Sequence, residues 1–129
     1  MCYNGCCKSL REVIRLEASE IARAAVEAAA EKQATDIVLL DVRDICGFAD
    51  YFVLSSAESG RQINAVTEEI EEALKKEGAR PVHREGAAVS GWVLLDYGDV
   101  IVHTFAPFER EFYNLEDYWS AARTLVRIQ

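Results

Sequence analysis

Apolar positions along this 129-residue chain switch between two periods, and the switch points outline its elements. From Ser9 to about Gln33, Leu10, Val13, Ile14, Ile21, Ala25 and Val26 recur near helical spacing around an alanine-rich centre. That pattern predicts a helix, either continuous or broken near Ala18–Ser19. "DIVLLDVRD", Asp36 to Asp44, is an unbroken apolar run suited to a buried strand. "ICGFAD" reads as a loop, and "YFVLSSA", Tyr51 to Ala57, as a second strand. Ser59 and Gln62 then stand in capping-box spacing. Behind them Ile63, Val66, Ile70, Ala73 and Leu74 form one helical stripe, which Gly78 ends. Glu68, Glu69, Glu71 and Glu72 lie off that stripe and read as a solvated face. "RPVHREG", Arg80 to Gly86, is a short strand placed near a sheet edge by its opening Pro81. "GWVLLDYG" and "DVIVHTFA" are two strands joined by a tight turn. Pro107 suits the first turn of a last helix, with Glu109 and Glu111 at its positive end. Phe108, Phe112, Leu115, Trp119 and Ala122 are the expected inner face of that helix. The order α-β-β-α-β-β-β-α predicts an α/β fold, a mixed sheet of about five strands packed by helices. Residues 1–8 read as a disordered lead-in and 9–129 as a single domain of ordinary size.

The hairpin holds the least ordinary pattern. With Tyr97 and Gly98 as a two-residue turn, Asp96 faces Asp99, Leu94 faces Ile101 and Trp92 faces His103. Strand alternation then separates two faces. Val93, Leu95, Val100 and Val102 make a wholly aliphatic one, suited to helices packing over it. Trp92, Leu94, Asp96, Asp99, Ile101 and His103 make the other. Burying two carboxylates in a dry core costs several kcal/mol unless they are paired. Facing aspartates also repel. A wet turn, or a cation from a partner, relieves both problems. An apolar patch centred on tryptophan with charge at its rim has the composition of a protein interface.

Charge narrows the partner. The net charge of −8 argues against free-standing nucleic-acid binding and is compatible with a basic protein partner or with simple solubility. No apolar run approaches the roughly 20 residues that cross a bilayer. The first residues lack the apolar core of a secretory signal, so a cytoplasmic location is expected. Cys2, Cys6, Cys7 and Cys46 are then expected as free thiols. The first three lack the further ligands of a zinc site, and Cys46 has no histidine placed by sequence to activate it. Asp96, Asp99 and His103 could in principle share a metal. However, four strand residues separate Asp99 from His103 by about 13 Å. The chain has no phosphate-binding glycine loop, no nucleophile elbow and no paired-histidine zinc motif. No cofactor, metal or catalytic residue is expected.

"DIVLLDV", "DYFVLSSAESGRQINAV", "REG", "GWVLLDYGDVIVHTF" and "REFYNLEDYW" occur in this order between Asp36 and Trp119, about two-thirds of the chain. Together they make the chain resemble the ribosomal silencing factor family, also called Iojap-like proteins. "WVLLDYGDVIVH" followed by "FYNLEDYW" is the most specific part. The resemblance implies an α/β sandwich related to nucleotidyltransferases, and a homodimer when free. It also implies binding to the large ribosomal subunit through its ribosomal protein number fourteen, and the acidic charge adds the expectation of little RNA contact. Joining of the small subunit would be blocked and translation repressed without any enzymatic step. A role in large-subunit maturation is the related alternative. Residual nucleotide or metal binding is the enzyme-class alternative. The nucleotidyltransferase pattern is not met, because no D-x-D follows "SSAESG" and Asp41 and Asp44 fall on opposite faces of a strand. On this reading Trp92 and Leu94 are anchors, with Ile101 and His103 in the same patch. Asp96 and Asp99 would meet lysine or arginine, and Tyr97 and Gly98 would shape the turn. The alternative for Trp92 is a core position under the last helix. In "FYNLEDYW" the apolar residues are expected to pack the helix on the sheet, with Tyr113 and Tyr118 available to extend a binding or dimer surface.

Overall fold

Three strands buried on both faces account for the unbroken apolar runs. In the computed structural model, which describes residues 17–128, these are β1 (Thr35–Asp41), β2 (Tyr51–Ser56) and β5 (Val100–Phe105). They form the centre of a six-stranded sheet with β3 (His83–Ala87), β4 (Trp92–Asp96) and β6 (Arg123–Ile128), in the order β3-β4-β5-β2-β1-β6. β2 and β5 run parallel, and the other neighbours are antiparallel. The lead-in 1–8, with Cys2, Cys6 and Cys7, lies outside the described residues, as do residues 9–16 of the first expected helix.

One sheet face is covered by α1 (Ala18–Glu31) and α2 (Gly60–Lys76). Ile37, Leu39, Val53, Val93, Leu95, Val100 and Val102 point there and meet Ile63, Val66, Ile70 and Leu74. The small side chains of Ala22, Ala25 and Ala29, fully buried, let α1 lie close to its neighbours. The two helices are tied end to end by Gln62. Its own N–H donates to Ser59 Oγ (3.1 Å), its Oε1 accepts from the Glu58 N–H (2.8 Å), and its Nε2 donates to the Lys32 and Gln33 carbonyls (3.3 and 3.1 Å). The expected capping pair thus forms, but its return bond goes to Glu58 rather than to Ser59.

The other face carries Val38, Leu40, Phe52, Leu54, Ile101 and Phe105. It is covered only in part, by α3 (Pro107–Tyr113), α4 (Leu115–Tyr118) and the loop after β1. Here the structure corrects three expectations. There are six strands, not about five, because "RTLVRI" pairs with β1 rather than continuing a helix. The last helix is split at Asn114, whose left-handed φ of 46° ends α3 and restarts the chain as α4. The split rotates the expected inner face. Leu115, Trp119 and Ala122 do pack on the sheet, but Phe108 and Phe112 are 70% and 68% exposed. Finally, β1 stops at Asp41, short of Asp44. The Asp41 carboxylate accepts from the Arg43 side chain (2.8 and 3.0 Å) and backbone, which holds its pKa below the usual carboxylate range.

Candidate functional site

The half-covered face is built on β4, whose burial alternates along the strand: Val93 and Leu95 are buried, Trp92, Leu94 and Asp96 partly open. The register differs from the one expected by two residues. Trp92 lies opposite Phe105, Leu94 opposite His103 and Asp96 opposite Ile101. Side-chain alternation has period two, so this slip leaves the paired strand residues on their expected faces, while Asp99 falls in the turn. It does lengthen the turn. The Tyr97 N–H donates to the Val100 carbonyl (2.9 Å), and the Gly98 N–H to the Asp96 carboxylate (2.7 Å), with Gly98 at φ 90°. Asp96 and Asp99 therefore do not face each other. Asp99 sits exposed in the turn, and its carbonyl accepts from the Asp50 and Tyr51 N–H groups (2.7 and 3.1 Å), fastening the turn to β2. Tyr97 turns to the opposite side. Its ring is buried with Val93, Leu95 and Val100, and its hydroxyl has no partner among the described residues. Burial pushes that hydroxyl's pKa well up. Tyr97 thus shapes the turn from beneath and does not lie on the candidate face.

Trp92 is packed and exposed at once. Its ring stacks on Phe105 (centroids 5.0 Å) and meets Tyr113 of α3 (4.7 Å), and its Nε1–H donates to His103 Nδ1 (3.2 Å). The ring is thus half-buried, with Tyr113 rather than Phe108 or Phe112 as its helical neighbour. His103 is 5% exposed, parallel to Phe105 and edge-on to Phe52. Burial, and secondarily the charge of Arg110, lower its pKa to about 3, so the ring is neutral. Ile101 is also buried, at 6%. Ile101 and His103 support the face, and Trp92 and Leu94 present it.

Two grooves flank the Trp92–Leu94 ridge. One, of about 320 Å³, is bounded by Phe48, Leu94, Asp96, Leu115 and Trp119. The other, of about 220 Å³, runs between Glu85, Gly86, Ser90 and Tyr113. A carboxylate thus stands beside each groove. Gly86 belongs here by necessity: its φ is 84°, and a Cβ would strike the Trp92 carbonyl oxygen. Phe48, at 66% exposure, and Glu85 were not singled out by the sequence pattern. An aromatic after a glycine in a loop was the available signal for Phe48. Among the described residues, no three His, Cys, Asp or Glu side chains are grouped to hold a metal ion, and no helix is long and apolar enough to cross a membrane.

The sequence match decides the family. Residues 15–129 match the family described as "Ribosomal silencing factor during starvation". The chain belongs to the ribosomal silencing factor family. A relative from Bacillus subtilis carrying the name ribosomal silencing factor is 39% identical, over 79% of this chain and 86% of its own. A chloroplast Iojap protein of Zea mays is 38% identical over 74% of this chain, though over only 42% of its own. The fold agrees. A crystal structure from Chromobacterium violaceum superposes with a TM-score of 0.78 at 32% identity, over 81% of this chain and 88% of that one. One from Bacillus halodurans gives 0.73 at 33% identity, over 84% and 98%. In this silencing-factor chain the family-like segments "REG", "GWVLLDYGDVIVHTF" and "REFYNLEDYW" converge on β3, β4, β5 and α3–α4, around Trp92.

Proposed function

We propose that this chain is a non-enzymatic steric blocker of ribosome assembly. It binds the large ribosomal subunit through the basic ribosomal protein number fourteen and covers a surface that the small subunit needs, so repressing translation. Trp92 and Leu94 enter the partner as anchors, backed by Ile101 and His103. Asp96 and Asp99, on a turn shaped by Tyr97 and Gly98, meet its lysines or arginines. The observation that carries this reading is the half-exposed Trp92–Leu94 ridge between two acid-edged grooves. Tryptophan anchors inside a polar rim dominate protein interfaces energetically. The charge of −8 favours a basic protein over ribosomal RNA, which would repel the chain. Repression then needs only occupancy. The free protein is a cytoplasmic homodimer on this reading, which sedimentation equilibrium tests.

A subunit-joining assay tests the function. Purified small and large subunits should fail to form whole ribosomes in the presence of the protein. Undiminished joining at saturating protein would overturn the proposal.

A further inference from the structure

Trp92 has one polar atom, and His103 takes it. The indole Nε1–H donates to His103 Nδ1 at 3.2 Å. That bond requires Nδ1 to be the bare nitrogen, which places the imidazole proton on Nε2. Burial opposes a second proton on the ring, because the histidine is 5% exposed and its pKa is lowered to about 3, and Nε2 has no partner among the described residues. Its ring is also fixed in place, parallel to Phe105 within 6° and edge-on to Phe52 at 5.4 Å. Leu94 lies directly opposite it across the strand pair. His103 therefore reaches both ridge residues from the floor of the groove beside Trp92 and Leu94, where it is 5% exposed.

We infer that His103 is a positioning residue for the docking face: it fixes the orientation of the Trp92 ring and removes the indole N–H from the surface. The inference rests on the docking role proposed above. Two things follow. The surface that Trp92 presents is wholly carbon, so the partner must offer an apolar group or the stem of a long cationic side chain there, not a hydrogen-bond acceptor. The rotamer of Trp92 is also set before binding, so its ordering entropy is not lost on association. Sequence alternation placed His103 in the patch as a contact. In the structure it is 5% exposed at the floor of the groove and hydrogen-bonded to Trp92.

A double-mutant cycle tests this. His103→Phe keeps an aromatic ring and removes the acceptor; His103→Gln keeps an acceptor. Affinity for purified large subunits should fall up to about tenfold in His103→Phe, the scale of one hydrogen bond, with most of it retained in His103→Gln. In a Trp92→Phe background, which has no N–H to hold, His103→Phe should change affinity less than twofold. An equal loss in both backgrounds would overturn the inference and make His103 merely structural. Exchange of the indole proton, read by NMR in the free protein carrying Trp119→Phe, gives a readout independent of the ribosome. Slow exchange that becomes fast in His103→Phe is expected, and fast exchange in the parent with histidine at 103 would overturn the positioning role. If no form binds large subunits while the indole proton is protected, the docking reading fails and the positioning contact stands.

Discussion

The two faces of the β4–β5 hairpin differ in what covers them. Val93, Leu95, Val100 and Val102 meet two full helices and are entirely buried. Trp92 and Leu94, their immediate neighbours on β4, meet two short helices and stay half open. The first face is aliphatic and dry. The second combines aromatic rings, a neutral histidine and carboxylates at the edges of its grooves. The difference teaches that coverage, not strand propensity, decides what a sheet face is for. Where two long helices cover it, side chains serve stability, and where cover is incomplete the same alternation yields a surface with a fixed shape.

Adjacent substitutions should separate the two roles. Leu95→Ala, at 1% exposure, should lower stability by about 2–5 kcal/mol in urea unfolding. Leu94→Ala should cost less than about 1.5 kcal/mol of stability and act mainly on partner binding. A comparable stability loss for both would erase the contrast between the faces. Next in size, Trp92→Ala should weaken large-subunit binding by at least about 2 kcal/mol with the fold retained, as circular dichroism would report. If this variant unfolds, Trp92 is core after all.

The buried histidine makes the second face pH-sensitive in stability. Its ordinary pKa of 6.5 applies to the unfolded chain, against about 3 in the fold. Between those values the unfolded chain holds a proton that the folded one lacks. The contribution is complete above about pH 6.5 and is lost as pH falls toward 3, at up to about 1.4 kcal/mol per pH unit. Denaturation midpoints between about pH 4.5 and 6.5 should show this slope, and His103→Gln should flatten it. An unchanged slope would mean that another group carries it. Smaller effects belong to the rim. Asp99→Lys should change stability by under about 0.5 kcal/mol, since the residue is exposed, yet weaken binding and reduce its salt dependence. Phe108→Ser should be equally neutral for stability, because the ring is 70% exposed.

Much of this contrast was legible in the sequence. Unbroken apolar runs marked the doubly buried strands, and alternation sorted the hairpin residues correctly even though the register was off by two, because a two-residue slip preserves faces. What failed was local conformation that alternation does not encode. Asp96 accepts from the Gly98 N–H in a turn longer than the two residues expected, while Tyr97 continues the alternation of Val93 and Leu95 and is buried on their face. Asn114 takes the left-handed conformation and breaks a helix whose spacing reads as continuous, exposing Phe108 and Phe112. β6 was missed because its arginines and exposed positions hide an edge strand whose pairing with β1 is long-range. Its alternation of Thr124, Val126 and Ile128 was the signal available. Tyr113 beside the half-covered face was legible as an option, whereas its contact with Trp92 was not.

Sedimentation through a sucrose gradient tests the docking face most directly. The protein should travel with isolated large subunits and be absent from whole ribosomes, while Trp92→Ala, folded, should remain at the top of the gradient. Equal co-sedimentation of the parent protein and Trp92→Ala with large subunits would contradict the account.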